Sequence, residues 1–307
     1  DFAGLPVVID GGVLLAPPRW AHRLASSGQG ILFLDEISTA PPAVQAALLR
    51  VVLERVVGDL ELPDGVVIIA AANPPEQSAD GWDLSAPLAN RFCHLDWTVD
   101  SSAFAQGIVG GWSAPHVPEL PLGWEMHMPI SRGLVSAFVS VRPSLTLAVP
   151  SDGSSMGRGW PSPRTWEMTA RLWTACELAA VSDESRSALI RGALGDGAGI
   201  EFLSWTQEMD LPNPEDLLEN PMSFVPPERG DRVYAVLSSV AAAVAGHPTP
   251  DRWLSGWKVL VRAGETTPDV AAVAARVLAQ CRPAGVAAPP ELKIFAPLLR
   301  DAGLMDR

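Results

Sequence analysis

The chain has 307 residues, of which 22 are Lys or Arg and 35 are Asp or Glu, giving a net charge of −13; 48% are hydrophobic and 19% charged. This balance excludes a disordered protein, and it excludes a nucleic-acid-coating surface, because neutralising phosphates needs clustered basic side chains and no basic run occurs. Cys93, Cys176 and Cys281 stand far apart, with no CxxC and no His at metal-ligand spacing, which predicts a reduced, cytoplasmic protein. No stretch is long and apolar enough to span a bilayer.

In chain order, residues 7–15 predict a hairpin turning on Asp10-Gly11-Gly12, and a helix follows at about 19–24. Ile31-Leu32-Phe33-Leu34 then runs straight into Asp35-Glu36. A short apolar run bounded by polar residues predicts a strand, 31–35, buried on both faces as in parallel sheets. Its carboxyl end is where open α/β sheets bind ligands. One carboxylate there can hold Mg²⁺ through water and its neighbour can orient or deprotonate an attacking water, the layout of a Walker B element. Pro41-Pro42 and the spacing of Val44, Leu48, Val51 and Val52 predict an amphipathic helix at about 41–55.

A second small hairpin is expected over 56–65, and a second fully apolar strand over 66–71, ending in Ala72-Asn73-Pro74. Strand, helix, strand in this order implies a parallel, right-handed βαβ unit. A short helix at 84–90 and a strand at 92–97 follow. Beyond residue 100 only helices are predicted: 101–110, 131–148, 163–181, 184–194, 228–245, 251–263, 268–280 and 291–302. Pro-, Gly- and Ser-rich loops at 149–163 and 211–227 separate them. The expected domains are 1–100, 101–210 and 211–307.

Four elements with chemical potential stand in series. Asp35-Glu36 ends one strand, and Asn73 ends the next, where its amide can hydrogen-bond a phosphate or a water, though Asn also suits turns. Arg91, in Leu88-Ala89-Asn90-Arg91-Phe92, precedes a strand; Arg164, in Pro161-Ser162-Pro163-Arg164, opens a helix at its positively polarised start. Arg55 is a second candidate for contact across subunits. The tryptophans fall mostly at helical spacing, as core residues do.

In that order, and with the phrases LFLDEISTAPPAVQAALL and AANPPE, the chain resembles AAA+ ATPases, and among them the bacterial MoxR branch. The resemblance covers residues 1–200 and implies an α/β fold: a truncated parallel-sheet core, an all-α lid and a helical C-terminal extension. It implies that Asp35 (holding Mg²⁺ via water) and Glu36 are the Walker B pair, Asn73 is sensor 1, Arg164 is sensor 2 and Arg91 is an arginine finger reaching a neighbouring subunit. It implies ATP and Mg²⁺ as cofactors, a homo-oligomeric ring (a hexamer), and chaperone-like work on a client or a von Willebrand A domain-type partner. The hairpins at 7–15 and 56–65 match insertions of this branch.

One element of the pattern is missing. No GxxxxGK[ST] occurs, and Gly153-Ser-Ser-Met-Gly157-Arg158-Gly159 lacks the Lys and the final Ser or Thr that a phosphate loop needs. The resemblance places that loop upstream of Asp1, so the expectation is a longer natural protein. The alternative is a nucleotide-incompetent relative that serves as a scaffold or binding module.

Overall fold

Residues 7–15 fold as expected because their turn tolerates positive φ. The computed structural model, which describes residues 2–73, 84–115, 117–209 and 211–297, pairs β1 (Leu5–Ile9) with β2 (Gly12–Ala16). The two loop residues Asp10 and Gly11 both have φ above zero, 49° and 80°, as a tight hairpin with right-handed twist requires. Leu15 clamps this hairpin to the next. Its N–H donates to Asp59 Oδ2 at 2.7 Å, and its carbonyl accepts from the Asp59 N–H at 2.9 Å.

After α1 (Arg19–Ser27), β3 (Gln29–Leu34) and β6 (Gly65–Ala70) form a parallel pair, in register from Gln29 opposite Gly65 to Leu34 opposite Ala70. Between them lie α2 (Pro42–Glu54) and the two-residue strands β4 (Val56–Val57) and β5 (Leu60–Glu61). Leu32, Leu34 and Val66 pack with Ala21 of α1, Leu48 and Val51 of α2, and Leu88 of α3 (Ala86–Ala89). The expected burial of both sheet faces is corrected: Ile31, Phe33, Val67 and Ile69 are 61%, 56%, 55% and 43% exposed. Alternation carries them to the face opposite that core, and no described layer covers it. The predicted strand at 92–97 is also absent, since no described strand lies beside it to complete a ladder; Trp97 is 92% exposed.

The chain divides into two compact units, residues 1–94 with 149–160, and 95–148 with 161–307. The first also holds the one-turn helix α6 (Gly153–Met156), and the second is helical. It begins with α4 (Ser101–Gly110), capped by the Asp100 carboxylate accepting from the Ser102 and Ala103 N–H groups. Its centre is the pairing of α5 (Met128–Val141) with α11 (Gly230–Gly246). Against α5 pack α7 (Pro163–Leu178), α8 (Asp183–Leu194) and α9 (Asp196–Met209), enclosing Phe138, Trp166, Phe202 and Trp205. Around the rest of α11, α10 (Pro214–Glu219), α12 (Pro250–Gly264) and α13 (Pro268–Gln280) enclose a second core with Trp253 and Trp257.

Arg252 of α12 grips Glu215 of α10 with two guanidinium nitrogens, and this hydrogen-bonded charge holds the Glu215 carboxyl below the usual carboxylate range. α9 has no counterpart among the predicted helices. The predicted 291–302 helix opens as a 3₁₀ segment, Pro290–Phe295, and is α-helical at residues 296–297; residues 298–302 lie outside the described residues. No helix of the described residues is long and apolar enough to cross a membrane.

Candidate functional site

The carboxyl ends of β3 and β6 bring three of the expected site residues to one edge of the parallel pair. The ladder continues past the strands: the Ala71 N–H donates to the Leu34 carbonyl and the Ile37 N–H to the Ala71 carbonyl, both at 2.9 Å. Asp35 and Glu36 therefore cross over the end of the sheet beside the segment leading to Asn73, and all three are exposed. The strand ends at Leu34, one residue earlier than expected, so both carboxylates belong to the turn.

Glu36 adopts φ 51°, ψ 42°, a left-handed conformation that non-glycine residues rarely take and that stores about 1–3 kcal/mol. Its surroundings enforce it. The Glu36 N–H donates to Asp35 Oδ1 at 3.0 Å, its carbonyl accepts from the N–H and the hydroxyl of Thr39, both at 2.9 Å, and the next residue, Ile37, is buried in the core. Among the described residues only Oδ1 of Asp35 is engaged in a hydrogen bond. Its other carboxylate oxygen is a hard donor of the type that Mg²⁺ favours.

Arg91 sits in the turn after α3, half-buried, with Nη1 donating to the Pro87 carbonyl of the same helix. α3 is held by two side chains that sequence reasoning did not single out. Gln45, 2% exposed on α2, donates from Nε2 to the Ala40 carbonyl at 3.0 Å and accepts the Ser85 N–H at Oε1 at 2.8 Å. It thereby links the turn after Glu36 to the helix before Arg91. Buried Asn90 donates to the Trp160 carbonyl at 2.7 Å. The signal for Gln45 was there: a polar residue on the buried stripe that carries Leu48 and Val51.

Arg55 has its guanidinium turned inward, donating to the carbonyls of Leu62, Pro63 and Val66. It braces the β4–β5 hairpin, so the structure gives it a role within the chain. Pro74 and Pro75, beyond Asn73, lie outside the described residues.

Arg164 lies in the second unit, exposed, as the second residue of α7. That helix start is built by a capping box: the Ser162 hydroxyl accepts the Thr165 N–H at 3.2 Å, and the Thr165 hydroxyl accepts the Ser162 N–H at 2.8 Å. Both residues are buried. Ser162→Ala is expected to lower stability by about 1–2 kcal/mol, read as a drop in chemical-denaturation midpoint, and Ser162→Thr to restore most of it. Equal midpoints for Ser162→Ala and the parent would show that the box does not define the helix start.

The three thiols are free, and burial raises the Cys176 thiol above its ordinary value, which makes it a poor nucleophile. Among the described residues no group of three or more His, Cys, Asp and Glu is arranged to hold a metal by itself.

Comparison with known proteins gives one family. Residues 19–80 match the family described as the sigma-54 interaction domain. No curated protein and no solved structure matches the chain. The matched stretch runs from α1 through β6 and includes Asp35, Glu36 and Asn73, but neither Arg91 nor Arg164. The sigma-54 interaction domain is of the AAA+ type, and the match supports an AAA+ ATPase-like module in this part of the chain.

Proposed function

We propose that the chain is part of an ATP-hydrolysing AAA+ subunit of the MoxR type, which remodels or activates a partner protein from within a homo-oligomeric ring. The observation that carries this reading is the strained left-handed backbone of Glu36 at the carboxyl end of a parallel strand, beside Asp35 and next to the segment that ends at Asn73. Strain held in place by three hydrogen bonds and a buried anchor is a mark of pre-organisation at functional sites.

In this reading Asp35 holds Mg²⁺ through water, and the ion, when bound, neutralises charge on the phosphate oxygens. Glu36 orients the attacking water and accepts its proton at a carboxylate oxygen. The Asn73 amide fixes that water or a phosphate oxygen. Arg91, released from the Pro87 carbonyl, and Arg164 spread positive charge over the transferred phosphoryl group. ATP binding also needs a phosphate cradle, which these 307 residues do not contain as GxxxxGK[ST]. The second reading, a nucleotide-incompetent scaffold, is that of a natural-length protein without such a cradle.

Steady-state ATP hydrolysis by the natural-length protein separates the two. Arg91→Ala is expected to cut turnover by about 10³-fold or more, as in other trans-acting arginine fingers. Mixing Arg91→Ala with Glu36→Gln subunits is then expected to recover part of the activity, because a mixed interface pairs an intact Glu36 with a neighbour's intact Arg91. No recovery on mixing would remove Arg91 from the finger role. No binding and no hydrolysis of ATP by the natural-length protein would establish the scaffold.

A further inference from the structure

The helical unit contains an open-mouthed pocket of about 690 Å³ that the nucleotide chemistry does not use, bordered by α5, α7, α9, the segment leading into α10, and α11. The volume falls in the range of small-molecule sites, about 300–1,000 Å³. Its lining is mixed: Ile130, Leu134, Trp173, Leu178 and Leu211 supply an apolar wall, and His127, Thr206, Gln207 and Asn213 are polar. Three hydroxyls converge at its floor. Ser131, Thr174 and Ser239, from three different helices, line it and are only 4%, 2% and 5% exposed.

The hydrogen bonds of these hydroxyls define what the cavity can take. Thr174 Oγ1 lies 2.9 Å from the Ala170 carbonyl and 2.8 Å from Ser131 Oγ. The Thr174 hydroxyl donates to Ser131 Oγ, with the Ala170 carbonyl also within reach, so Ser131 accepts from Thr174 and keeps its own proton for the pocket. Ser239 is held where α11 crosses α5, its backbone against Gly133, and its hydroxyl makes no hydrogen bond among the described residues. That hydroxyl faces the pocket, so a ligand group can pair with it in place of solvent. The floor therefore offers two hydroxyls, Ser131 and Ser239, each able to donate and to accept. At the wall, the Glu177 carboxylate is already neutralised by Arg186, at 2.9 Å.

We propose that this cavity is a ligand site for a neutral molecule with a flat or branched apolar body and a hydroxyl or carboxamide head, the head bridging Ser131 and Ser239. It lies wholly within residues 127–239 and does not depend on the ATPase reading. The test is equilibrium dialysis of the full chain with 2-naphthylmethanol and, as a probe lacking the head, 2-methylnaphthalene.

One saturable site is expected, with the alcohol bound about five- to tenfold more tightly than the hydrocarbon, the worth of one to two hydrogen bonds. Ser239→Ala should bring that ratio below about twofold and leave hydrocarbon binding unchanged, a pattern that mere loss of structure does not give. Leu178→Trp, which fills the cavity from a half-exposed wall position, should abolish binding of both probes while far-UV circular dichroism stays the same. The proposal is overturned if the alcohol shows no saturable binding, if the ratio survives Ser239→Ala, or if Leu178→Trp binds both probes as before.

Discussion

Glu36→Gln in the natural-length protein is expected to lower ATP turnover by at least about 100-fold and to leave the affinity for ATP and Mg²⁺ within about twofold. The amide is nearly isosteric, so the left-handed turn, the Asp35 Oδ1 bond to the residue-36 N–H and the Thr39 bonds all remain, since every one of them uses the backbone of residue 36. What is lost is the capacity to take a proton from water, and positioned general bases are worth about 10²–10⁴ in rate. Asp35→Asn is the informative companion. It removes the hard anionic oxygen offered to Mg²⁺, so it should weaken Mg²⁺-dependent binding itself, separating the two neighbouring carboxylates by role. Glu36→Gln protein that turns over at the parental rate would end the assignment of Glu36 as base.

Trp253→Ala is expected to destabilise the helical unit by about 3–5 kcal/mol, the range for emptying a large buried aromatic site. Trp253 is fully buried, its ring meets Trp257 edge to face with centroids 5.9 Å apart, and Nε1 donates to the Leu278 carbonyl at 2.7 Å. Removing it opens a cavity between α12 and α13 and leaves that carbonyl without its indole donor. For a unit of this size the loss corresponds to a fall in Tm of roughly 6–20 °C. Trp253→Phe, which keeps most of the volume and loses the N–H, should fall between the parent and Ala. Val225→Ala, at a 77% exposed position, should move the midpoint by less than about 2 °C and serves as the control. A shift below about 3 °C for Trp253→Ala would mean that the second core does not limit stability.

Where local chemistry decides an element, the sequence announces it. α4 and α13 have the predicted bounds because Asp100 caps one and Thr267-Pro268 opens the other. The Asp35-Glu36 strand end and its neighbour ending near Asn73 were legible because apolar runs and acidic stops are local signals. Elements decided by a neighbour were not. Helix α9 opens with Asp196-Gly197-Ala198-Gly199, a poor helix start by propensity. A Cβ at position 199 would lie 2.8 Å from the Arg191 Cα, so the close crossing of α8 and α9 demands glycine there and overrides propensity. The 92–97 run has a strand's composition and no described partner strand. Within the site, the positive φ of Glu36 and the bridge made by Gln45 are tertiary consequences, invisible to residue spacing.

The open face of the parallel pair has a colloidal consequence. Ile31, Phe33, Val67 and Ile69 form a contiguous apolar strip, and among the described residues neither strand has a second neighbour along its edge. Such a surface is a template for chain-to-chain adhesion. Opposing it is the net charge of −13, whose repulsion keeps like molecules apart only over the Debye length, about 30 Å at 0.01 M salt and about 8 Å at 0.15 M. Added salt shortens the reach of that repulsion without weakening adhesion between the strips, so the 307-residue chain is expected to associate more readily as ionic strength rises.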